Sequence, residues 1–394
     1  MENPRKQMNK RINICIAGGD SWSNRGDRAI LSGTIDLIKK MEYDSEISIL
    51  SGDQKKTKTD FPGLNAINRR NIFSLLVTVS QSDILLWGGG HLLQNTSSKI
   101  FLVFQFYILM SALILRKKVI GFALGVEEIH GSFWRKLSKF ILDKFQLISV
   151  RDIHSKNVLI KLNVKTPIFV TADPAVILRP TTNIPSELRK LVSKPFVIIA
   201  PRKWFYYKSS LFPVSWQKKF FHKDKDKFLT VLTNFAKLAD WIIETLHYNV
   251  FFIPMYPGIE QGDEEVSEKI ISYMHHQESA CIIYKEYEPS ELIAFFQHTK
   301  FLIGMRMHAT ILAACSGTPI IGLYYQEKGK SFFSAMKLSD FSLPIEEFTP
   351  ENVIQLIQTL TRNSEKIKST LVTNLEILRS QAEFNIELLN KVLR

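Results

Sequence analysis

Cysteine is scarce in this chain. Only Cys15, Cys281 and Cys315 are present, each in an apolar context and none in a CxxC pair. That excludes a disulfide framework and fits reduced, buried thiols in a cytosolic protein. No HExxH run occurs, and no metal site is expected. The triple glycine at 88–90 has neither the GxGxxG spacing nor a GKS or GKT ending, so neither a dinucleotide nor a P-loop nucleotide follows. Long apolar runs are missing too. The longest, "IFLVFQFYILMSALIL" (100–115), has 16 residues and includes Gln105 and Ser111. At about 1.5 Å per residue it falls short of a roughly 30 Å hydrocarbon core and reads as a buried or interfacial helix. The start "MENPRKQMNKR" is polar and runs straight into the first strand, so neither a transit peptide nor a secretory signal is expected.

Acidic residues are the minority among the charges. With 38 Asp+Glu against 51 Lys+Arg the net charge is +13, which favours polyanionic partners. Zinc-finger, RNA-recognition and basic-zipper patterns are absent, so nucleic acid is not expected. A phosphorylated substrate and an anionic membrane surface both remain. The expected location is cytoplasmic, with peripheral attachment to the inner face of the membrane open.

What the chain does have is 394 residues, 45% of them hydrophobic, enough for a large core in two domains. Short apolar runs alternate with helical stretches, which indicates an α/β protein with largely parallel sheets. Strands are read at 12–17, 46–50, 83–87, 118–123, 147–150 and 168–171, and helices at 28–41, 99–116, 132–144 and 154–161. The proline-rich stretch 178–195 breaks the series. A second series follows, with strands at 196–201, 249–255, 281–285, 301–304 and 319–325 and helices at 228–247, 263–276, 289–298 and 309–316. Helical patterns at 350–361 and 364–393 close the chain. The expected division is an N-terminal Rossmann-like domain over 1–180 and a linker over 181–195. A C-terminal Rossmann-like domain over 196–350 and helices over 351–394 that pack back across both complete it. A cleft between two doubly wound domains is the default place for chemistry.

Six stretches carry candidate site residues. "NRGD" holds Asn24 and Asp27, and Asp27 reads equally as the cap of the following helix. "GGG" (88–90) reads as a strand end whose amides form an anion nest at a helix start. "GFALGVEE" (121–128) is a second glycine-bearing strand end. "RDIHS" sets Arg151 and Asp152 after a strand, as an ion pair or as part of a site. "ADP" holds Asp173, which a turn alone would explain. "GMRMHA" places Arg306 and His308 at a helix start, where a guanidinium and an imidazole beside free amides suit an anion and a proton transfer. The lysine- and aromatic-rich stretch 203–228 reads either as a membrane-interface segment or as a packed hairpin.

In this order the motifs resemble the polysaccharide pyruvyl transferase family. They are N-x-G-D (Asn24, Gly26, Asp27), G-G-G (Gly88 to Gly90), a glycine turn (Gly121, Gly125) and R-D-x-x-S (Arg151, Asp152, Ser155). Then come D-P (Asp173, Pro174) and G-x-R-x-H (Gly304, Arg306, His308), with G-x-P downstream (Gly317, Pro319). The likeness spans roughly residues 12–330. The turn "ALGVEE" departs from the G-x-G-P common in relatives. The resemblance implies a glycosyltransferase-B-like fold, two doubly wound Rossmann-like domains facing a cleft. It also implies transfer of the enolpyruvyl unit of phosphoenolpyruvate onto two hydroxyls of a sugar, in a cell-surface polysaccharide or its lipid-linked precursor. The products would be a pyruvate ketal and phosphate, with no cofactor beyond the co-substrate. Arg202, Arg306, His308 and Lys328 would bind the donor, and Asn24, Asp27, Gly89, Gly90, Arg151 and Asp173 the acceptor. His308 would act as acid, with Arg306 beside it, and Asp27 or Asp173 would act on the hydroxyl. A nucleotide-sugar-dependent glycosyltransferase of the same fold is the competing reading, and a non-enzymatic scaffold for polysaccharide assembly a third.

Overall fold

The computed structural model describes residues 11–18, 24–95, 99–203, 225–256 and 262–394. Residues 204–224, the greater part of the lysine–aromatic stretch, lie outside them, as do 19–23 of the opening loop. The first sheet contains β1 (Ile12–Ala17), β2 (Ser45–Ser51), β3 (Asn65–Asn68), β4 (Ile84–Leu93), β5 (Lys118–Val126), β6 (Leu147–Val150) and β7 (Ile168–Val170). All neighbours are parallel, in the order β3-β2-β1-β4-β5-β6-β7. The second contains β8 (Phe196–Ala200), β9 (Asn249–Phe252), β10 (Ala280–Ile282), β11 (Leu302–Gly304), β12 (Ile320–Tyr324) and β13 (Ser342–Pro344). It too is parallel, in the order β10-β9-β8-β11-β12-β13. The central strands are apolar without a break because helices cover both faces. Strand order reverses between β1 and β4 and between β8 and β11, and ligands of doubly wound sheets bind at such switch points.

The elements that escaped the pattern reading have little apolar signal. β3 is "NAIN" at a sheet edge with one fully buried residue, and β13 is the three-residue edge "SLP". The helix Gln54–Asp60 buries only Thr57. The helices Ile72–Gln81 and Glu327–Ala335 were also unread. One expectation needs correction: Gly88–Gly90 do not end a strand at a helix start. They lie inside β4, which continues to Leu93, and the next helix begins at Lys99. Gly89 and Gly90 have φ of 76° and 148°, values that L side chains rarely adopt.

Two apolar cores result. One fills the outer side of the first sheet, where Trp87, Leu85 and Ala17 meet the helices Ile72–Gln81, Lys99–Ile114, Ser132–Leu142 and Ile153–Lys161. The 16-residue apolar run belongs here. Its helix is anchored by Gln105, which accepts from the Trp87 indole at 2.9 Å. No helix among the described residues is long and apolar enough to cross a membrane. The other core runs without interruption from β1 through the helix Arg25–Ile38 into the whole second domain. The three cysteines are free, and burial pushes Cys15 and Cys315 up to about 12 and Cys281 to about 11. None is a thiolate nucleophile at neutral pH.

The helix Arg25–Ile38 bolts the domains together. Arg25 is buried, donating to the carbonyls of Ile283 (3.2 Å), Tyr284 (3.1 Å) and Lys285 (2.9 Å) in the second domain. Arg28 bridges Asp60 of the first domain (3.1 Å) to Glu288 of the second. One turn on, Gly33 meets the crossover segment, and a Cβ there would stand 2.0 Å from the Pro174 carbonyl oxygen. The last helix, Ser364–Leu393, returns to the first domain. Its Arg379 donates to Val176 O at 2.9 Å and Phe384 meets Phe169 edge-on. Because the Gly33 neighbour is backbone and cannot swing away, Gly33→Ala is expected to lose about 1–3 kcal/mol of stability, read as a lower urea midpoint. An unchanged midpoint would mean that the crossover shifts freely.

Candidate active site

The loops at both switch points enclose a cavity of about 390 Å³ between the domains. From the first domain it is lined by Asn24, Gly26, Asp27, Gly89, Gly90, His91, Glu127 and Arg151, and from the second by Arg202, Arg306, His308, Tyr325 and Lys328. Most of the residues singled out from sequence therefore meet at one place. The exceptions and changes of role are instructive.

Asn24, not Asp27, caps the first helix. Its Oδ1 accepts from the amides of Gly26 (2.9 Å) and Asp27 (3.4 Å), so the Asn24 oxygen expected to hold a sugar is already occupied. Asp27 sits within the first turn and lines the cavity. Gly26 is glycine for a spatial reason: a Cβ would stand 2.4 Å from His308 Nδ1, across the domain boundary.

Asp173 also differs from expectation. It does not line the cavity. Its carboxylate is buried behind it, 2.7 Å from Arg151 Nη1 and 3.4 Å from His308 Nε2, and accepts from the Ala175 amide at 3.0 Å. Burial alone would raise its pKa, but His308 and Arg151 outweigh burial and hold the carboxyl below the usual range. Asp173 thus orients the imidazole and the guanidinium; it is placed neither to bind the acceptor nor to take a hydroxyl proton. The neighbouring motif residues serve the backbone, with Asp152 capping the helix Ile153–Lys161 through Ser155 N (2.6 Å) and Ser155 Oγ accepting from Val126 N (3.0 Å).

Arg306 stands at the start of the helix Met307–Cys315 and grips Asp263 in a fork, Nε to Oδ2 at 2.9 Å and Nη2 to Oδ1 at 2.6 Å. Asp263 is fully buried and also accepts from Tyr256 N at 2.9 Å. Sequence reading missed Asp263, whose signal, an acid at a helix start in "GDEEVSEK", is indistinguishable from a surface turn. Arg202 stacks over the Tyr325 ring at 4.4 Å and touches its hydroxyl. His91 and Glu127 were missed too. His91 Nδ1 is 3.2 Å from Glu127 Oε1, and His154 Nε2 is 4.0 Å from Glu127 Oε2.

Charge is distributed unevenly. No hydrogen bond or ion pair to Lys328 is present among the described residues. Burial, then the charges of Arg202 and Arg151, push its pKa down to about 7 against the opposing pull of Glu127. Burial also lowers His308, with Asp173 opposing, and lowers His91 well below the ordinary imidazole value. Burial raises Glu127, against Lys328 and His154. Among the described residues, His91 Nε2 is buried without a hydrogen-bond partner, while His308 Nε2 and Glu127 Oε1 have only the longer contacts to Asp173 and His91. An anion in this cavity would meet the Lys328 ammonium, which has no ion-pair partner among the described residues, and the guanidinium groups of Arg151, Arg202 and Arg306.

A family model for polysaccharide pyruvyl transferase matches residues 24–327, from the capping asparagine to the residue before Lys328. The chain belongs to the polysaccharide pyruvyl transferase family. It is 20% identical over 406 residues to the amylovoran biosynthesis protein AmsJ of Erwinia amylovora, covering 91% of this chain and 94% of that one. Its fold is similar to that of the UDP-GlcNAc 2-epimerase of Neisseria meningitidis solved with UDP-GlcNAc (TM-score 0.57, 10% identity, 97% of this chain and 100% of that one). Anabaena HepE, solved with UDP and glucose, is comparable (TM-score 0.56, 10% identity, 98% of both chains). The glycosyltransferase-B-like architecture is thereby shown.

The capping assignment has a direct consequence. Asn24→Ala removes an N-cap and is expected to destabilise by about 1 kcal/mol, whereas Asp27→Asn should leave the melting temperature unchanged. A larger loss from Asp27→Ala than from Asn24→Ala would return the cap to Asp27.

Proposed function

We propose that this member of the family transfers the enolpyruvyl unit of phosphoenolpyruvate to two hydroxyls of a sugar. The observation that carries the reading is Lys328, a half-buried ammonium with no ion-pair partner among the described residues, which lines the cavity with Arg151, Arg202 and Arg306. Such a group calls for a compact polyanion, and phosphoenolpyruvate presents a phosphate and a carboxylate within one small molecule. Arg306 and Arg151, each fixed by a buried carboxylate, supply guanidinium edges that need no reorganisation on binding. The family membership supports a polysaccharide acceptor, and the similarity to an amylovoran biosynthesis protein is in keeping with exopolysaccharide assembly.

The reaction has two carbon–oxygen bond formations. A first sugar hydroxyl adds to C2 of phosphoenolpyruvate while the methylene carbon takes a proton and becomes a methyl. Phosphate then leaves with the C–O electron pair, and the second hydroxyl closes the ketal, its proton leaving with phosphate. A donor and an acceptor of protons are required, and environments that push two groups apart identify them. Glu127 lines the cavity, and burial holds its carboxyl above the usual range, so in this reading it would be the proton donor. His308, whose pKa is lowered, is neutral at pH 7 and takes the hydroxyl proton, with Asp173 stabilising the imidazolium. This reverses the acid role read for His308 from sequence, because burial disfavours its charged form. Asp27 and the backbone of Gly89 and Gly90 line the cavity where the sugar would lie.

Purified protein given phosphoenolpyruvate and a glycan acceptor should release inorganic phosphate in step with the glycan's gain of a pyruvate ketal. His308→Ala should lower kcat about 10²–10⁴-fold. Gly26→Ala, whose methyl would displace the same imidazole, should lower it about 10²-fold at unchanged melting temperature. If only nucleotide-sugars raise the melting temperature and no acceptor elicits phosphate release, the glycosyltransferase reading replaces this one.

A second test uses Lys328. Only the ammonium attracts the anion, so binding must raise its pKa above the free value of about 7. Calorimetry at pH 8 should show proton uptake on phosphoenolpyruvate binding, and Kd should weaken about tenfold per pH unit above pH 7. Lys328→Met should bind more weakly and show neither effect. A pH-independent wild-type Kd between pH 7 and 9 would sink the assignment.

A further inference from the structure

We propose that the outer helical face of the first domain seats this protein on an anionic lipid bilayer. Three neighbouring helices on the same side of the sheet, Ile72–Gln81, Lys99–Ile114 and Ser132–Leu142, carry large apolar side chains on their outward surfaces. Ile72, Phe73, Ile114, Phe133 and Phe140 are each more than half exposed, Phe73 at 77%. Single exposed apolar residues are ordinary, but several large ones on three adjoining helices mark an interaction surface. Phe133 packs edge-on against Trp134 at 5.2 Å, and Lys144 lies over the Phe140 ring at 5.5 Å. The helix "SFWRKLSKFIL" turns Ile141 and Leu142 into the core, with Trp134 and Leu137 packed against them. Its outward surface sets Phe133 and Phe140 among Arg135, Lys136 and Lys139, the mixture of aromatic and basic side chains found at membrane interfaces.

Charge decides the occupant. Residues 69–77, 99–117 and 132–144 hold nine basic residues and one acid, Asp143. Two copies of such a face would repel each other, whereas an anionic lipid surface draws it in. Position fits as well. Arg69 stacks over Phe104 on this face at 5.8 Å, and Arg69 and Phe101 also line the cavity. A lipid-linked glycan rooted in the bilayer would therefore reach the cavity over the same helices. This goes beyond the transfer reaction and does not depend on it, and none of the residues named belongs to the lysine–aromatic stretch at 203–228.

Vesicle co-sedimentation, which needs no activity, tests it. Wild type should bind phosphatidylglycerol-containing vesicles at low salt, release at high salt, and ignore pure phosphatidylcholine. Arg135→Gln with Lys136→Gln should weaken partitioning about 25-fold, since each basic residue near the surface contributes about fivefold. Phe133→Ser with Phe140→Ser should weaken it further than tenfold at unchanged circular dichroism. The proposal is overturned if wild type fails to bind at low salt, or if both variants bind as wild type. It is also overturned if only replacement of Lys218, Lys219, Lys223, Lys225 and Lys227 by glutamine abolishes binding. Sedimentation velocity showing a dimer that the phenylalanine variant dissociates would assign the face to a second copy and equally overturn it.

Discussion

Asp173 lies where the chain leaves the first sheet for the second domain, and its buried carboxylate is shared by Arg151, His308 and the Ala175 amide. A carboxylate so enclosed must be compensated, and removal of one partner of a buried pair costs about 3–5 kcal/mol. The compensation comes from three directions: β6 delivers Arg151, the helix after β11 delivers His308, and the crossover supplies its own amide. The position of the imidazole relative to the first domain is therefore set by a charge that cannot be left unpaired. Gly26 then allows the imidazole to rest against the first helix, where any side chain would displace it. Asp173 thus fixes two of the residues that line the cavity, Arg151 and His308.

The remaining charges follow the same logic with one omission. Arg306 is matched by Asp263 and Arg151 by Asp173, so each guanidinium is held rigid while part of its donor set stays available. Lys328 is not matched among the described residues. Burial and three nearby arginines strip it of its preference for the charged form. In the proposed reaction the anionic donor would bind beside this group, and fixed donors around it would avoid reorganisation at the moment of reaction. His91, His308 and Glu127 line the same cavity.

The two domains do not meet only at the cavity. Arg25 and Arg28 reach from the first helix to carbonyls and a carboxylate of the second domain, and one apolar core continues across the boundary. The second core, on the outer side of the first sheet, is separate. That separation leaves the contacts across the domain boundary to the first core, while the outer helices touch the cavity through Phe101, Gln105 and Ile108.

The sequence by itself determined the two parallel sheets, because fully buried strands are apolar without interruption and leave a local signal. It also determined the family, because "NRGD", "RDIHS", "ADP" and "GMRMHA" keep their order along the chain. It marked Arg202, Arg306, His308 and Lys328, polar residues at strand ends and the turns that follow. Only the tertiary structure decided their roles. Asn24 and Asp27 are equally good caps in sequence, and the direction of the helix start chose between them. Asp173 looked like a turn residue until β6 and the helix after β11 were brought to it. Asp263 looked like a surface acid until Arg306, 43 positions away, closed on it. These roles depend on which charges are buried together, and burial of a charge is a property of distant segments meeting, which no local pattern encodes.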